Sequence, residues 1–172
     1  TPSGINALDM KESDISVIDL NGNSKNNIKP SSEVKIHLAI YNNKKTAGAI
    51  VHCHSHWASV LSCLRKKIPA FHYMVAELGG TEIKCAEYAT FGTKQLAENV
   101  VRSLRNTKGC LISNHGQICF GQDLSEAIHL SYAIEKLSKQ YYFCFISRKT
   151  KLLDNEEIKK VLNKFKSYKA KH

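Results

Sequence analysis

Short apolar runs of strand length alternate along this chain with longer stretches whose apolar residues step by three and four. That alternation narrows the fold more than any single motif does. Gly48 to Cys53 is a continuous apolar run suited to a buried strand, and Trp57, Val60, Leu61 and Leu64 follow it at helical spacing. Cys110 to Ser113 and Ile118 to Phe120 read as two more strands flanking Asn114-His115-Gly116, where glycine permits a tight reversal. From Leu124 to about Ile146, the residues Ala127, Leu130, Ile134, Leu137, Tyr141 and Cys144 mark one long helix. Strands interleaved with helices bury their sheet between helical layers, so the class is α/β.

The remaining segments complete that picture. Ile15 to Leu20 alternates as a strand would, and Asn21-Gly22-Asn23 is a turn signal. Ser31 and Ser32 precede Val34, His37, Leu38 and Tyr41, predicting an amphipathic helix capped by a serine with Glu33 in its first turn. After Pro69 a short helical stretch, Tyr73 to Leu78, ends at Gly79-Gly80, and Glu82 to Cys85 reads as a strand. Thr93 is placed as the N-cap of a helix with the stripe Leu96, Val100, Val101 and Leu104. Asp154 with Glu157 forms a capping box ahead of Ile158, Val161, Leu162 and Phe165. Without repeats or linkers, the 172 residues are expected to form one domain, 1–172.

Charge and cysteine usage bound the partners. The chain carries 25 Lys and Arg against 15 Asp and Glu, a net charge of +10 that favours phosphate-bearing partners. The lysines are dispersed, and the densest cluster starts at Lys159 on a solvated helix face, so no nucleic-acid partner is expected. Six cysteines without a C-x-x-C spacing fit a reduced, cytoplasmic setting. No apolar run approaches the roughly 20 residues of a membrane helix, so no membrane partner is expected. The opening Thr1-Pro2-Ser3-Gly4 reads as a turn from inside a domain, which raises the expectation of an upstream segment.

The chemistry concentrates in His52-Cys53-His54. The two-residue period of a strand turns both imidazoles to one face, about 7 Å apart along the backbone, which is a chelating arrangement. A bare His-x-His is equally compatible with surface or core histidines. The pair lies directly after a buried strand, where sites in α/β proteins form, and His115 at another strand end can supply a third nitrogen. Glu33 at a helix start can act as an acid/base partner. Ser31 and Ser32 offer hydroxyls and free N–H groups at a helix N-terminus, which suit either a phosphate or a plain cap. Ser3-Gly4 can add a second anion-binding turn. Cys53 points away from its flanking histidines in a regular strand and is not counted as a ligand.

Five strings then agree in order and spacing with one family: Lys29-Pro30-Ser31-Ser32-Glu33, Val51-His52-Cys53-His54-Ser55-His56, Ile68-Pro69-Ala70-Phe71-His72-Tyr73-Met74, Tyr88-Ala89-Thr90-Phe91-Gly92-Thr93 and Asn114-His115-Gly116. On these residues the chain resembles the class II aldolase and adducin family across its whole length, including the tail around Lys164-Phe165-Lys166-Ser167-Tyr168. The resemblance implies a three-layer fold with a central, mostly antiparallel sheet and helices on both sides. It implies zinc held by His52, His54 and His115, with Glu33 as the acid/base group. It further implies a substrate phosphate on Ser3, Gly4, Ser31 and Ser32, and Tyr73 contributed across a subunit boundary as a proton donor. Phe91 and the C-terminal Tyr168 are additional active-site candidates on the same basis. A homotetramer with active sites between subunits is implied, as is reversible aldol cleavage of a phosphorylated ketose such as fuculose 1-phosphate to dihydroxyacetone phosphate and a small aldehyde. The family also has an N-terminal helix and a Gly-Asn phosphate-binding turn that this chain lacks. Glu87 stands where relatives carry proline. Two other readings stay open: an epimerase or dehydratase of the same family, against which Glu33 speaks because the epimerase branch has aspartate there, and a catalytically silent adducin-like module.

Overall fold

Strand β1 (Ala49–Cys53), β2 (Cys85–Ala86), β3 (Gly109–Ile112) and β4 (Gly116–Gly121) form one sheet in the spatial order β1-β4-β3-β2. The computed structural model describes residues 1–6 and 8–169, the last two by backbone alone. β4 pairs antiparallel with both β1 and β3, and β2 joins β3 in parallel, so the sheet is mostly antiparallel.

Alternation along the strands sends side chains to two apolar layers. Ile50, Cys110, Ile112, Ile118 and Phe120 meet Ile36 and Ile40 of α1 (Val34–Asn43) and Leu96 and Val100 of α3 (Lys94–Ser103). On the other face, Val51, Leu111 and Cys119 meet α2 (His56–Cys63), the 3₁₀ turn Tyr73–Leu78 and α4 (Leu124–Ile146) through Leu61, Leu78, Leu130, Ile134 and Leu137. Each such fully buried Leu or Ile contributes roughly 1.5–3 kcal/mol, so these two layers carry the fold. Helix α5 (Asn155–Lys169) lies against the Tyr73–Leu78 turn and buries Ile158. Among the described residues no helix is long and apolar enough to cross a membrane.

Helix ends follow the capping chemistry. Thr93 Oγ1 accepts the Leu96 N–H at 3.2 Å, and Asp154 Oδ1 accepts that of Glu157 at 2.8 Å. Helix α4 runs over the expected range, and Asp123 caps it through the Glu126 N–H at 2.8 Å.

Four expectations are corrected. Ile15 to Leu20 forms no strand: among the described residues it has a single bridge, Ile18 to Ser24, and Ile15, Val17 and Leu20 are left exposed. The Asn21-Gly22-Asn23 turn exists, but Asp19 organises it by accepting both the Asn21 and Asn23 N–H groups at 2.9 Å. Helix α1 buries Ile36 and Ile40 rather than the Val34, His37, Leu38, Tyr41 stripe, because its sequence is apolar on nearly every side and the sheet chose the face. No serine caps it; Ser31 Oγ accepts the Glu33 N–H at 3.2 Å, and Glu33 itself occupies the N-cap. The strand expected at Glu82 to Cys85 is shifted to Cys85–Ala86, with Ile83 forming only an isolated bridge to Ile68.

Candidate metal centre

The end of β1, the β3–β4 hairpin and the N-terminus of α1 converge at one edge of the sheet. His52 Nδ1 lies 2.7 Å from the Gln117 carbonyl oxygen. A carbonyl can only accept, so Nδ1 carries the proton and Nε2 is directed at Glu33 Oε2, 2.8 Å away. His115 Nε2 stands 3.2 Å from Glu33 Oε1, and His54 Nε2 lies 4.0 Å from Oε2. The three imidazole centroids are 5.2, 5.0 and 4.7 Å apart, and one donor atom from each of Glu33, His52, His54 and His115 lies within 4.8 Å of all the others. Two nitrogens on one zinc ion, each about 2.0–2.1 Å from it, stand at most about 4 Å apart. The donor atoms here lie within 4.8 Å of one another, so side-chain shifts of about 1 Å would let them share one ion. Nitrogen and carboxylate donors of this kind suit a divalent ion.

Electrostatics favour the same use. Burial alone would raise the Glu33 carboxyl, but hydrogen bonds from His115 and His52, and the charge of both rings, hold it well below the usual carboxylate range. Burial, then the neighbouring His52 and His115, lowers the His54 imidazole. A neutral imidazole is the form that donates a lone pair to a metal.

Beside the cluster lies a cleft of about 430 Å³ lined by Ser32, Glu33, His54, Tyr88, Ala89, Phe91, Asn114 and His115. The two predicted anion turns meet near it: Ser3 N–H donates to the Lys29 carbonyl at 3.0 Å, Ser31 N–H donates to that of Thr1 at 3.0 Å, and Pro2 bridges Pro30. Gly4 has φ +81 with open space where a Cβ would be, and a Cβ on Gly92 would come within 2.9 Å of the Ser32 carbonyl oxygen. Tyr73 is not among these residues. It is exposed, stacks on His72 at 4.9 Å and borders a different hollow with Val161, Lys164 and Phe165. The side chain of Tyr168 lies outside the described residues. Cys53 turns to the opposite face, with Sγ 3.5 Å from Ser131 Oγ.

The family described as Class II Aldolase and Adducin N-terminal domain matches residues 1–142. The chain belongs to the class II aldolase and adducin family. It is 42% identical over 168 residues to a 5-methylthioribulose-1-phosphate/5-deoxyribulose-1-phosphate aldolase of Rhodospirillum rubrum, covering 98% of this chain and 76% of that protein. It is 41% identical over 169 residues to the L-fuculose phosphate aldolase of Escherichia coli K12, covering 98% and 79%. A solved L-fuculose 1-phosphate aldolase superimposes with a TM-score of 0.92 at 40% identity, covering 96% of this chain and 78% of that one. Class II aldolases are metal-dependent carbon–carbon lyases, and the Glu33, His52, His54, His115 group is one that could hold the ion.

Several residues that shape this class II aldolase site escape sequence reading. Glu135 of α4 accepts from Ser55 Oγ at 2.6 Å and from the Trp57 and Ala58 N–H groups at 2.9 Å, anchoring the start of α2 directly after His54. Ser62, fully buried, offers Oγ to the His115 N–H at 3.2 Å. Gln117 supplies its carbonyl to His52. None of these has a sequence signature, because each acts across 50 or more residues. The hairpin turn also differs in detail from expectation. Asn114, not Gly116, takes the left-handed conformation, at φ 54. Gly116 is instead required by proximity, since a Cβ there would stand 2.5 Å from the Cys53 carbonyl oxygen.

Proposed function

We propose that this chain is a zinc-dependent aldolase that cleaves a ketose 1-phosphate of the fuculose or deoxyribulose type to dihydroxyacetone phosphate and a small aldehyde. The observation that carries this reading is the convergence of three imidazoles and one carboxylate, with donor atoms within 4.8 Å of one another, beside a cleft that could admit the substrate. His52, His54 and His115 would hold the ion, which when bound supplies Lewis-acid charge to the substrate oxygens where negative charge develops. Cleavage breaks the bond between C3 and C4 of the ketose. The C4 hydroxyl gives up its proton and becomes the aldehyde carbonyl, and C3 gains a proton to complete dihydroxyacetone phosphate. Glu33, which borders the cleft, is assigned that proton transfer at C3. Ser3, Gly4, Ser31 and Ser32 are assigned the phosphate, supported by the meeting of the two turns, with Ser32 bordering the cleft. Phe91 borders the same cleft and is assigned to the substrate's apolar side.

Tyr73 is exposed and apart from its own chain's cleft, which supports its delivery to a neighbouring copy in a homotetramer, where it would handle the proton of the C4 oxygen. Tyr168 is assigned a supporting place at the same site. A cytoplasmic setting accords with six free thiols. The test is release of dihydroxyacetone phosphate from fuculose 1-phosphate, 5-deoxyribulose 1-phosphate and 5-methylthioribulose 1-phosphate, with zinc-loaded and chelator-stripped protein. Release that depends on the metal is expected, and the rank of the three substrates selects among them. A fully zinc-loaded protein that cleaves none of them refutes the assignment.

A further inference from the structure

Neither the metal nor the phosphate assignment uses Asn114, although it stands directly before His115 and lines the same cleft. Its backbone is left-handed at φ 54, and its N–H donates to the Ser62 carbonyl at 3.0 Å. Arg65 orients the side-chain amide, with Nε donating to Asn114 Oδ1 at 2.8 Å. A guanidinium nitrogen can only donate, so the amide oxygen faces Arg65 and the amide nitrogen is turned away from it. Arg65 is held in turn: its N–H donates to the same Ser62 carbonyl at 3.0 Å, and its guanidinium carbon sits 5.7 Å from the centre of the Tyr88 ring. Asn114 is exposed, and its Nδ2 has no hydrogen-bond partner among the described residues. The wall of the cleft next to His115 thus carries an uncharged donor whose orientation is fixed from behind.

The candidate substrates show what such a donor can meet. The phosphate is assigned to the serine turns, the oxygens where negative charge develops to the ion, and the C4 oxygen to Tyr73 of a neighbouring copy. On the fragment released as the aldehyde one polar group is left, and only fuculose 1-phosphate has it: the C5 hydroxyl. 5-Deoxyribulose 1-phosphate ends there in a methyl group, and 5-methylthioribulose 1-phosphate in a thioether.

We propose that Asn114 determines specificity at the aldehyde end, its Nδ2 donating a hydrogen bond to a hydroxyl on the carbon next to the aldehyde carbonyl. The proposal rests on the aldolase reading and narrows it to ketose 1-phosphates that carry a C5 hydroxyl. An uncharged donor matches an uncharged fragment, and one neutral hydrogen bond changes a specificity constant by about threefold to tenfold.

The experiment runs the zinc-loaded enzyme in the condensation direction, with dihydroxyacetone phosphate and two pairs of aldehydes: lactaldehyde against propionaldehyde, and glycolaldehyde against acetaldehyde. Each pair differs by a single hydroxyl. The ratio of kcat/KM, hydroxylated over plain, is measured for the wild type and for Asn114→Gly, which accepts the left-handed backbone and removes the amide. Intrinsic carbonyl reactivity is the same for both proteins, so the change in the ratio reads the contact. The ratio is expected to fall about threefold to tenfold in Asn114→Gly, chiefly through KM of the hydroxylated member. Tyr88→Phe removes the other hydroxyl on this wall that lacks a partner among the described residues and should keep the ratio. An unchanged ratio in Asn114→Gly overturns the proposal. So does a loss shared equally by both members, because Asn114 would then serve only to shape the turn before His115, and so does a fall confined to Tyr88→Phe. A wild-type preference for the plain aldehydes overturns it without any variant, whether or not Asn114→Gly folds. No condensation with any aldehyde overturns the aldolase reading itself and this proposal with it.

Discussion

Truncating Glu135 should loosen the proposed metal site from about 80 residues of chain away, and the size of the effect follows from its bonds. Its carboxylate accepts three hydrogen bonds at the start of α2, from Ser55 Oγ at 2.6 Å and from the Trp57 and Ala58 N–H groups at 2.9 Å. Hydrogen bonds to a charged group contribute about 1.5–3 kcal/mol each, non-additively, and a negative charge at a helix N-terminus adds roughly 0.3–1 kcal/mol. Water can reach part of the first turn after truncation, which lowers the net loss to about 3 kcal/mol for Glu135→Ala. Glu135→Gln keeps one acceptor oxygen and should cost about 1–2 kcal/mol. Urea unfolding of the metal-stripped protein, followed by circular dichroism, reads these values directly. Thermal unfolding should show the Ala variant lowered by about 6–12 °C, given roughly 2–4 °C per kcal/mol for a domain of this size. Because His54 sits immediately before the anchored turn, zinc affinity measured against a chromophoric chelator should also fall about tenfold, the lower end for loss of an outer-shell support. A Glu135→Ala protein less than about 1 kcal/mol destabilised, with unchanged zinc affinity, would refute the assignment of Glu135 as the anchor of α2.

Gly116→Ala should drive β4 from the Cys53 carbonyl and from His54, whose Cα and Cδ2 lie 3.1 Å from the added carbon, costing about 1–3 kcal/mol and at least tenfold in zinc affinity by chelator competition. His37 is lowered to about 4 by burial and then by the charge of His52. The unfolded chain takes up this proton below about pH 6.5 and the folded chain only near pH 4, so stability is full above that window and falls through it, by at most roughly 1.4 kcal/mol per pH unit. His37→Phe should flatten the slope of urea-unfolding free energy between pH 6.5 and 4, and an unchanged slope would count against the cause given. Among the thiols, Cys63 is exposed, while burial raises Cys110 far above its ordinary range and Cys119 up to about 12. Mass mapping after mild alkylation should find Cys63 labelled and Cys110 and Cys119 protected until the protein is denatured.

Strong periodicity translated directly into structure. The stripe from Ala127 to Cys144 became α4, and the runs around Gly48 to Cys53 and Ile118 to Phe120 became paired strands. Local chemistry was equally readable at Thr93 and Asp154, whose caps need only residues three positions on. Where a segment was apolar on nearly every side, as in α1, periodicity could not select a face, and contact with the sheet did so. Ile15 to Leu20 had a strand's composition but only a single bridge, Ile18 to Ser24, and pairing is not a property of one segment. His52, His54, His115 and Glu33 were nameable because their residue types announce their chemistry and the family resemblance linked them, and the fold brings them together. Gln117, Ser62 and Glu135 were not, because a carbonyl, a hydroxyl and a helix carboxylate acquire their roles only from what the chain brings opposite them.

The pairing of His52 with Ile118 and Cys53 with Gln117 ties cation affinity to strand alignment. Sliding β1 by one position would reverse its faces, carry the His52 imidazole to the α4 side and separate it from the carboxylate. Misaligned chains would thus have little hold on a divalent ion, and ion present during refolding would draw the population toward the correct alignment by mass action. The cation would serve as an arbiter of assembly before any sugar phosphate arrives.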